Sequence, residues 1–157
     1  MRILAFHPGN HDASAAAFDD YRLVAAVEEE RLTRRKGSGD GVPWLAIDEV
    51  LRIAAWSRMD VDAVVSTRSF FQPQYFRYPA HRAMARRIGR WLGTEKSMRD
   101  LFMHCLQCGT ADAASIFQCD DFLRDNGFRA NVPLAFANHH EAHALPTLFF
   151  KIGRAHV

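Results

Sequence analysis

The sequence predicts a mixed α/β sheet with helices on its faces, on three observations. The first thirty residues hold three short apolar runs separated by turn residues, and the connections between them are short enough for antiparallel pairing. Two further strand-like runs follow, Val61 to Ser66 and Val132 to Ala137. A stretch of helical periodicity precedes each of these, which makes them parallel, helix-crossed strands.

Taken in order, Arg2 to His7 reads as a short buried strand, and Pro8, Gly9 and Asn10 supply the turn after it. Ala13 to Phe18 and Leu23 to Val27 flank Asp19-Asp20-Tyr21-Arg22 as a hairpin. Pro43 sits where a first helical residue often is, and Ile47, Val50, Leu51 and Ala54 follow the i, i+3, i+4, i+7 rule of an amphipathic helix. A second helix is expected from about Ala111 to Arg124, with Asn126-Gly127 as its stop signal. Another helix should open after the last strand. This order is the ribonuclease-H-like half-domain pattern, with no internal repeat. Residues 70 to 101 interrupt it as an insert. They hold an aromatic group (Phe70, Phe71, Tyr75, Phe76, Tyr78) and then a basic stretch in which Arg82, Arg86 and Arg90 share a helical face. That face is either solvated or a contact surface for an anionic ligand or another domain.

Composition sets the outer bounds. A chain of 157 residues, 48% hydrophobic and 24% charged, is long enough for one core and excludes disorder and low complexity. No apolar stretch approaches the roughly 20 residues of a membrane span, and the start MRILAFHPGN is too short an apolar run for a secretory signal, so no membrane association and a cytoplasmic location are expected. Twenty Lys+Arg against eighteen Asp+Glu, a net charge of +2, is too weak to argue for nucleic acid as a partner. Cys105, Cys108 and Cys119 are an odd number that fits reduced thiols. The C-x-x-C pair lacks the second ligand pair that a zinc ribbon needs, and Cys119 fits the apolar face of its helix with Ile116 and Leu123.

Chemistry concentrates in three places. Asn138-His139-His140-Glu141-Ala142-His143-Ala144 follows the last strand, where open α/β sheets tend to place ligands. His139 and His143 are i, i+4 and would project side by side, as two imidazoles ligating one divalent metal do. The metalloprotease motif is excluded, because Glu141 lies two residues after His139 instead of one. The turn from His7 to Ser14 is rich in small residues that let backbone amides approach a ligand, and His11 within it could take a proton at neutral pH. Glu28, Glu29 and Glu30 end the third strand and are followed by Arg31, Arg34, Arg35 and Lys36. Alone that is a solvated charge run; if the loop folds over the sheet edge, Lys36 could offer a point charge to a phosphate.

FHPGNHDASAA at residues 6 to 16, LVAAVEEERLTRRK at 23 to 36 and NHHEAHA at 138 to 144 together resemble the O-carbamoyltransferases of the nodulation and antibiotic-tailoring type, in that family's order and spacing. The resemblance covers nearly all of residues 1 to 150. It implies a two-module enzyme that uses ATP and carbamoyl phosphate to make carbamoyl-adenylate, then transfers the carbamoyl group to a hydroxyl of a small-molecule acceptor. It also implies that the amino-terminal module, similar to the threonylcarbamoyl transferases acting on tRNA, has the two-lobed actin and sugar-kinase architecture, of which this chain supplies the first lobe. By the resemblance His139 and His143 match metal ligands, commonly of iron, and His11 matches the catalytic histidine. Lys36, with Gly9 and Asp12, is placed at the cosubstrate site. Self-association of the full-length protein stays open. The alternatives are a tRNA threonylcarbamoyl transferase and a non-catalytic nucleotide-binding lobe.

The family's second lobe, which carries an Asp metal ligand, and its carboxyl-terminal module have no counterpart in these residues, so the chain alone is expected to be inactive. Ile152-Gly153-Arg154-Ala155-His156-Val157 is what ATC GGA AGA GCA CAC GTC encodes, the start of a widely used short-read sequencing adapter. Residues 151 to 157 are therefore read as a technical tail outside the fold.

Overall fold

The computed structural model describes residues 1–9, 12–37, 41–67, 75, 77 and 113–137. β1 (Arg2–His7), β2 (Ser14–Asp19) and β3 (Arg22–Glu28) form an antiparallel meander. The tight turn between β2 and β3 places Asp20 at φ +50°, and a bulge opposite Ala17/Phe18 inserts Val24 into β3. β4 (Ala63–Ser66) pairs with β1 in parallel, and β5 (Leu134–Phe136) pairs with β4 in parallel. The strand order is β3-β2-β1-β4-β5, so the expected mixed sheet, antiparallel and then parallel, is what forms.

Four helices accompany it among the described residues, besides a 3₁₀ turn at Arg58–Asp60: α1 (Glu29–Thr33), α2 (Trp44–Ala54), α3 (Ala113–Ile116) and α4 (Cys119–Asp125). α2 buries Ala46, Ile47, Val50 and Leu51, the stripe its periodicity predicts. Pro43 precedes the helix as its cap residue instead of opening it. One face of the sheet, with Leu4, Phe6, Ala15, Ala17, Ala25 and Val64, packs against α2 and against Phe122 and Leu123 of α4. The three alanines leave room for α2 to lie close over β2 and β3. Each large side chain so buried contributes about 1.5–3 kcal/mol relative to exposure. Among the described residues α2 and α4 are the helices whose buried side chains pack on this face.

Several boundaries differ from the sequence reading for identifiable reasons. β4 starts at Ala63, because Val61 is drawn into the core and Asp62 uses its carboxylate to accept the backbone N–H of Arg2 at 2.9 Å. β5 starts at Leu134, since Pro133 has no N–H to give a ladder and offers only its carbonyl, to Val64 N at 2.9 Å. The single helix expected over 111–124 is broken between Ile116 and Cys119. There Phe117 turns inward against Phe136, ring centroids 5.8 Å apart, and Gln118 N donates to the carbonyl of Tyr75 at 2.7 Å. Cys119 is half-buried at the start of α4, and Gly127, at φ +77°, ends that helix as predicted.

Two residues bind distant parts together. Arg58 donates to Asn126 O at 2.8 Å, pairs with Asp48, and lays its guanidinium over the rings of Trp44 and Phe128. Tyr75, read as part of an aromatic insert, is a core residue: it meets Phe122 edge-on at 5.4 Å and its hydroxyl donates to Asp125 at 3.1 Å. Arg77 donates to the carbonyl of Ala114 at 2.8 Å, and the rest of the insert, Arg82, Arg86 and Arg90 included, lies outside the described residues. Among the described residues no helix is long and apolar enough to cross a membrane.

Candidate functional site

β1, β3, β4 and β5 all run in one direction and β2 runs against them, so four strands end and one begins at a single edge of the sheet. The sequence segments that hold candidate chemistry leave the sheet at that edge. After β1 come the buried Pro8 and Gly9; after β3 come α1 and the loop with Lys36; after β4 comes Thr67; after β5 comes Ala137, whose N–H donates to Ser66 O at 2.9 Å.

Gly9 forms an isolated antiparallel bridge with Gly41. That bridge brings the loop after α1 back to the exit of β1, the condition under which Lys36 could approach a ligand at the edge. Gly41, at φ +103°, takes a conformation that side chains strongly disfavour. Lys36 is exposed in this loop, and Asp12 is exposed at φ +59°, in the left-handed region that Asp tolerates better than most residues. Immediately after it, Ala13 is buried and its carbonyl accepts Glu29 N at 2.8 Å, which fastens the β1–β2 turn to the start of α1.

The acidic run before Lys36 corrects the reading of a solvated charge stretch. Glu28 and Arg31 do face solvent and pair at 3.1 Å. Glu29 and Glu30 are half-buried anchors: Glu29 accepts Ala46 N at 2.8 Å and Glu30 accepts Gly37 N at 3.2 Å. Arg34, at φ +58°, closes α1 with its N–H on Glu30 O. The carboxylates therefore shape the loop that carries Lys36.

A pair the sequence did not single out stands at the same edge. His7 Nδ1 lies 2.6 Å from Thr67 Oγ1, joining the last residue of β1 to the residue that follows β4. Beside it an open trough of about 800 Å³ runs along the sheet face opposite α2, floored by Ala5, Ala16 and Phe18, with His7, Ser14 and Thr67 among its polar lining. His7 ends the first apolar run, and Thr67 directly follows the run Val61 to Ser66, but nothing in the sequence names them as partners.

Of the residues singled out, Gly9, Asp12 and Lys36 are brought to this edge. His11, His139 and His143 lie outside the described residues. Among the described residues no group of three or more His, Cys, Asp or Glu side chains could hold a metal ion. No protein-family model matches the chain.

Proposed function

We propose that this chain is the first lobe of an ATP-dependent O-carbamoyltransferase acting on a small-molecule hydroxyl. The single observation that supports it best is the convergence, on one sheet edge, of the β1–β2 turn, the loop of Lys36 and the exit of β5, which are the places where the three family-like segments lie. The strand order β3-β2-β1-β4-β5 also agrees with a ribonuclease-H-like half-domain and so with an actin-like lobe.

In this reading water cleaves carbamoyl phosphate to carbamate and phosphate, and a carbamate oxygen then bonds to the α-phosphorus of ATP as the bond to pyrophosphate breaks, which gives carbamoyl-adenylate. The acceptor hydroxyl oxygen then bonds to the carbamoyl carbon, the bond from that carbon to the adenylate phosphate oxygen breaks, and AMP leaves. His11 takes the hydroxyl proton as the new bond forms. The exposed ammonium of Lys36 supplies positive charge to a phosphate group brought to this edge. Gly9 offers backbone without a side chain at the closest approach, and Asp12 holds the far side of the turn. His139 and His143 would hold the divalent metal, iron in this reading, which when bound would stabilise phosphate charge.

The test uses the full-length protein. Pyrophosphate release dependent on ATP and carbamoyl phosphate, followed by carbamoylation of a hydroxyl acceptor, is expected. His11→Asn should lower transfer relative to pyrophosphate release by about 100-fold to 10,000-fold. Absence of carbamoyl-phosphate-dependent pyrophosphate release in the unmodified protein overturns the reading.

A further inference from the structure

The contact between His7 and Thr67 has no part in the chemistry above, yet it sits where β1 hands the chain over to the turn. His7 pairs with Ser14 as the last rung between β1 and β2, so these two residues bracket that turn. Thr67 is tied to β1 twice: its N–H donates to Phe6 O at 3.2 Å, and its hydroxyl meets His7 Nδ1 at 2.6 Å. On the other side, Gly9 bridges Gly41. The turn is thus held by β2, by β4 and by the Lys36 loop. Of these contacts the one between His7 Nδ1 and Thr67 Oγ1 is made by side chains, so a substitution can remove it while the backbone bonds, Thr67 N to Phe6 O and Glu29 N to Ala13 O included, stay.

We propose that His7 and Thr67 are positioning residues for carbamoyl transfer, an inference that rests on the carbamoyltransferase reading. Their bond fixes the direction in which the chain leaves β1 toward Pro8 and Gly9. A general base must come within about 2.6–3.2 Å of the proton it takes. A displacement of about 1 Å can cost on the order of 100-fold in rate. The fold does not depend on this bond to the same degree: Leu4 and Phe6 anchor β1 in the core on the opposite face, and the pairings of β1 with β2 and β4 hold its backbone. Losing the bond therefore loosens the turn more than it loosens the sheet.

Thr67→Val keeps the shape of the side chain and removes the hydroxyl; Thr67→Ser keeps the hydroxyl. In the full-length protein, Thr67→Val should lower the ratio of transfer to pyrophosphate release by about 10-fold to 100-fold, with the thermal midpoint near that of the parent. Thr67→Ser should restore most of that loss. Amide hydrogen exchange at Gly9, Asp12 and Ala13 should quicken in Thr67→Val while that of α2 stays the same. An unchanged ratio, or both half-reactions falling together with the thermal midpoint, overturns the proposal. If the unmodified protein releases no pyrophosphate with carbamoyl phosphate, the carbamoyltransferase reading fails by itself. Exchange at the turn then decides whether the pair positions it: faster exchange in Thr67→Val supports that, and unchanged exchange overturns it.

Discussion

The carboxylate of Glu29 accepts the backbone N–H of Ala46 at 2.8 Å, so a residue of α1 caps α2. The need is local. Pro43, the cap residue of α2, makes no side-chain cap, and the helix has no acidic residue in its first turn. The first N–H groups of a helix have no partner within it, and a carboxylate there also opposes the helix dipole. Because Glu29 follows β3 directly, the cap also locks the exit of β3 to the helix that covers it.

Glu29→Ala should therefore destabilise the protein by about 1 kcal/mol, within the range of lost helix caps. Glu29→Gln, which keeps an acceptor and loses the charge, should cost less. Urea unfolding of the three proteins checks the order, and equal midpoints for all three would contradict it.

Ala55→Gly should stabilise. Ala55 follows α2 at φ +56°, where its N–H reaches Arg52 O and the N–H of Trp56 reaches Leu51 O. A Cβ in this conformation costs about 1–2 kcal/mol, and the extra freedom of glycine in the unfolded chain takes back about 0.4–1 kcal/mol of the relief. A rise in the thermal midpoint is expected; a fall would show that the left-handed strain is absent.

At Arg58, lysine should not replace arginine. The guanidinium reaches Asn126 O and Asp48 at once and lies 5.1 Å from the Trp44 ring centroid and 5.6 Å from that of Phe128. An ammonium has one charge centre and no planar fork. Arg58→Ala should cost about 1–3 kcal/mol, chiefly through the carbonyl it leaves without a partner, and Arg58→Lys should recover less than half. Denaturant midpoints decide.

Stability on the acid side should respond to Asp62. The backbone N–H of Arg2 holds its carboxyl below the usual carboxylate range, and the hydrogen bond and charge of Arg129 act in the same direction. A carboxylate with a lowered folded pKa contributes stability that is fully present above its unfolded pKa and is lost as pH falls through the folded one. Asp62→Asn should flatten the acid limb of the stability curve, from the ordinary carboxylate range downward. Asp60, lowered mainly by hydrogen bonds from Ser57, leaves a residual slope. An unaltered limb in Asp62→Asn would refute this assignment.

For the proposed metal, His139→Ala with His143→Ala in the full-length protein should abolish bound divalent metal, read by elemental analysis of the purified protein. Retained stoichiometry would remove both residues from the ligand set. On the helix that the sequence predicts there, His140 falls about 100° round from His139, so His140→Ala should retain the metal.

What the sequence determined by itself was local. Alternation and turn residues marked the strands and the β2–β3 hairpin. The spacing of Ile47, Val50 and Leu51 marked the buried stripe of α2, and Asn126-Gly127 marked the end of α4. These are legible because backbone geometry sets side-chain direction over a few residues, so a local pattern states which side is buried. Tertiary structure decided the rest. Phe117 breaks a helix because a ring from β5 and a carbonyl at Tyr75 receive it and its neighbour. Glu29 is an anchor and not a solvated charge because the unpartnered end of α2 lies beside it. Gly9 meets Gly41, and His7 meets Thr67, across long stretches of chain. No local period names such partners. Burial and hydrogen-bond satisfaction select them over the whole fold at once, since a polar group removed from water must find a partner wherever the packing brings one.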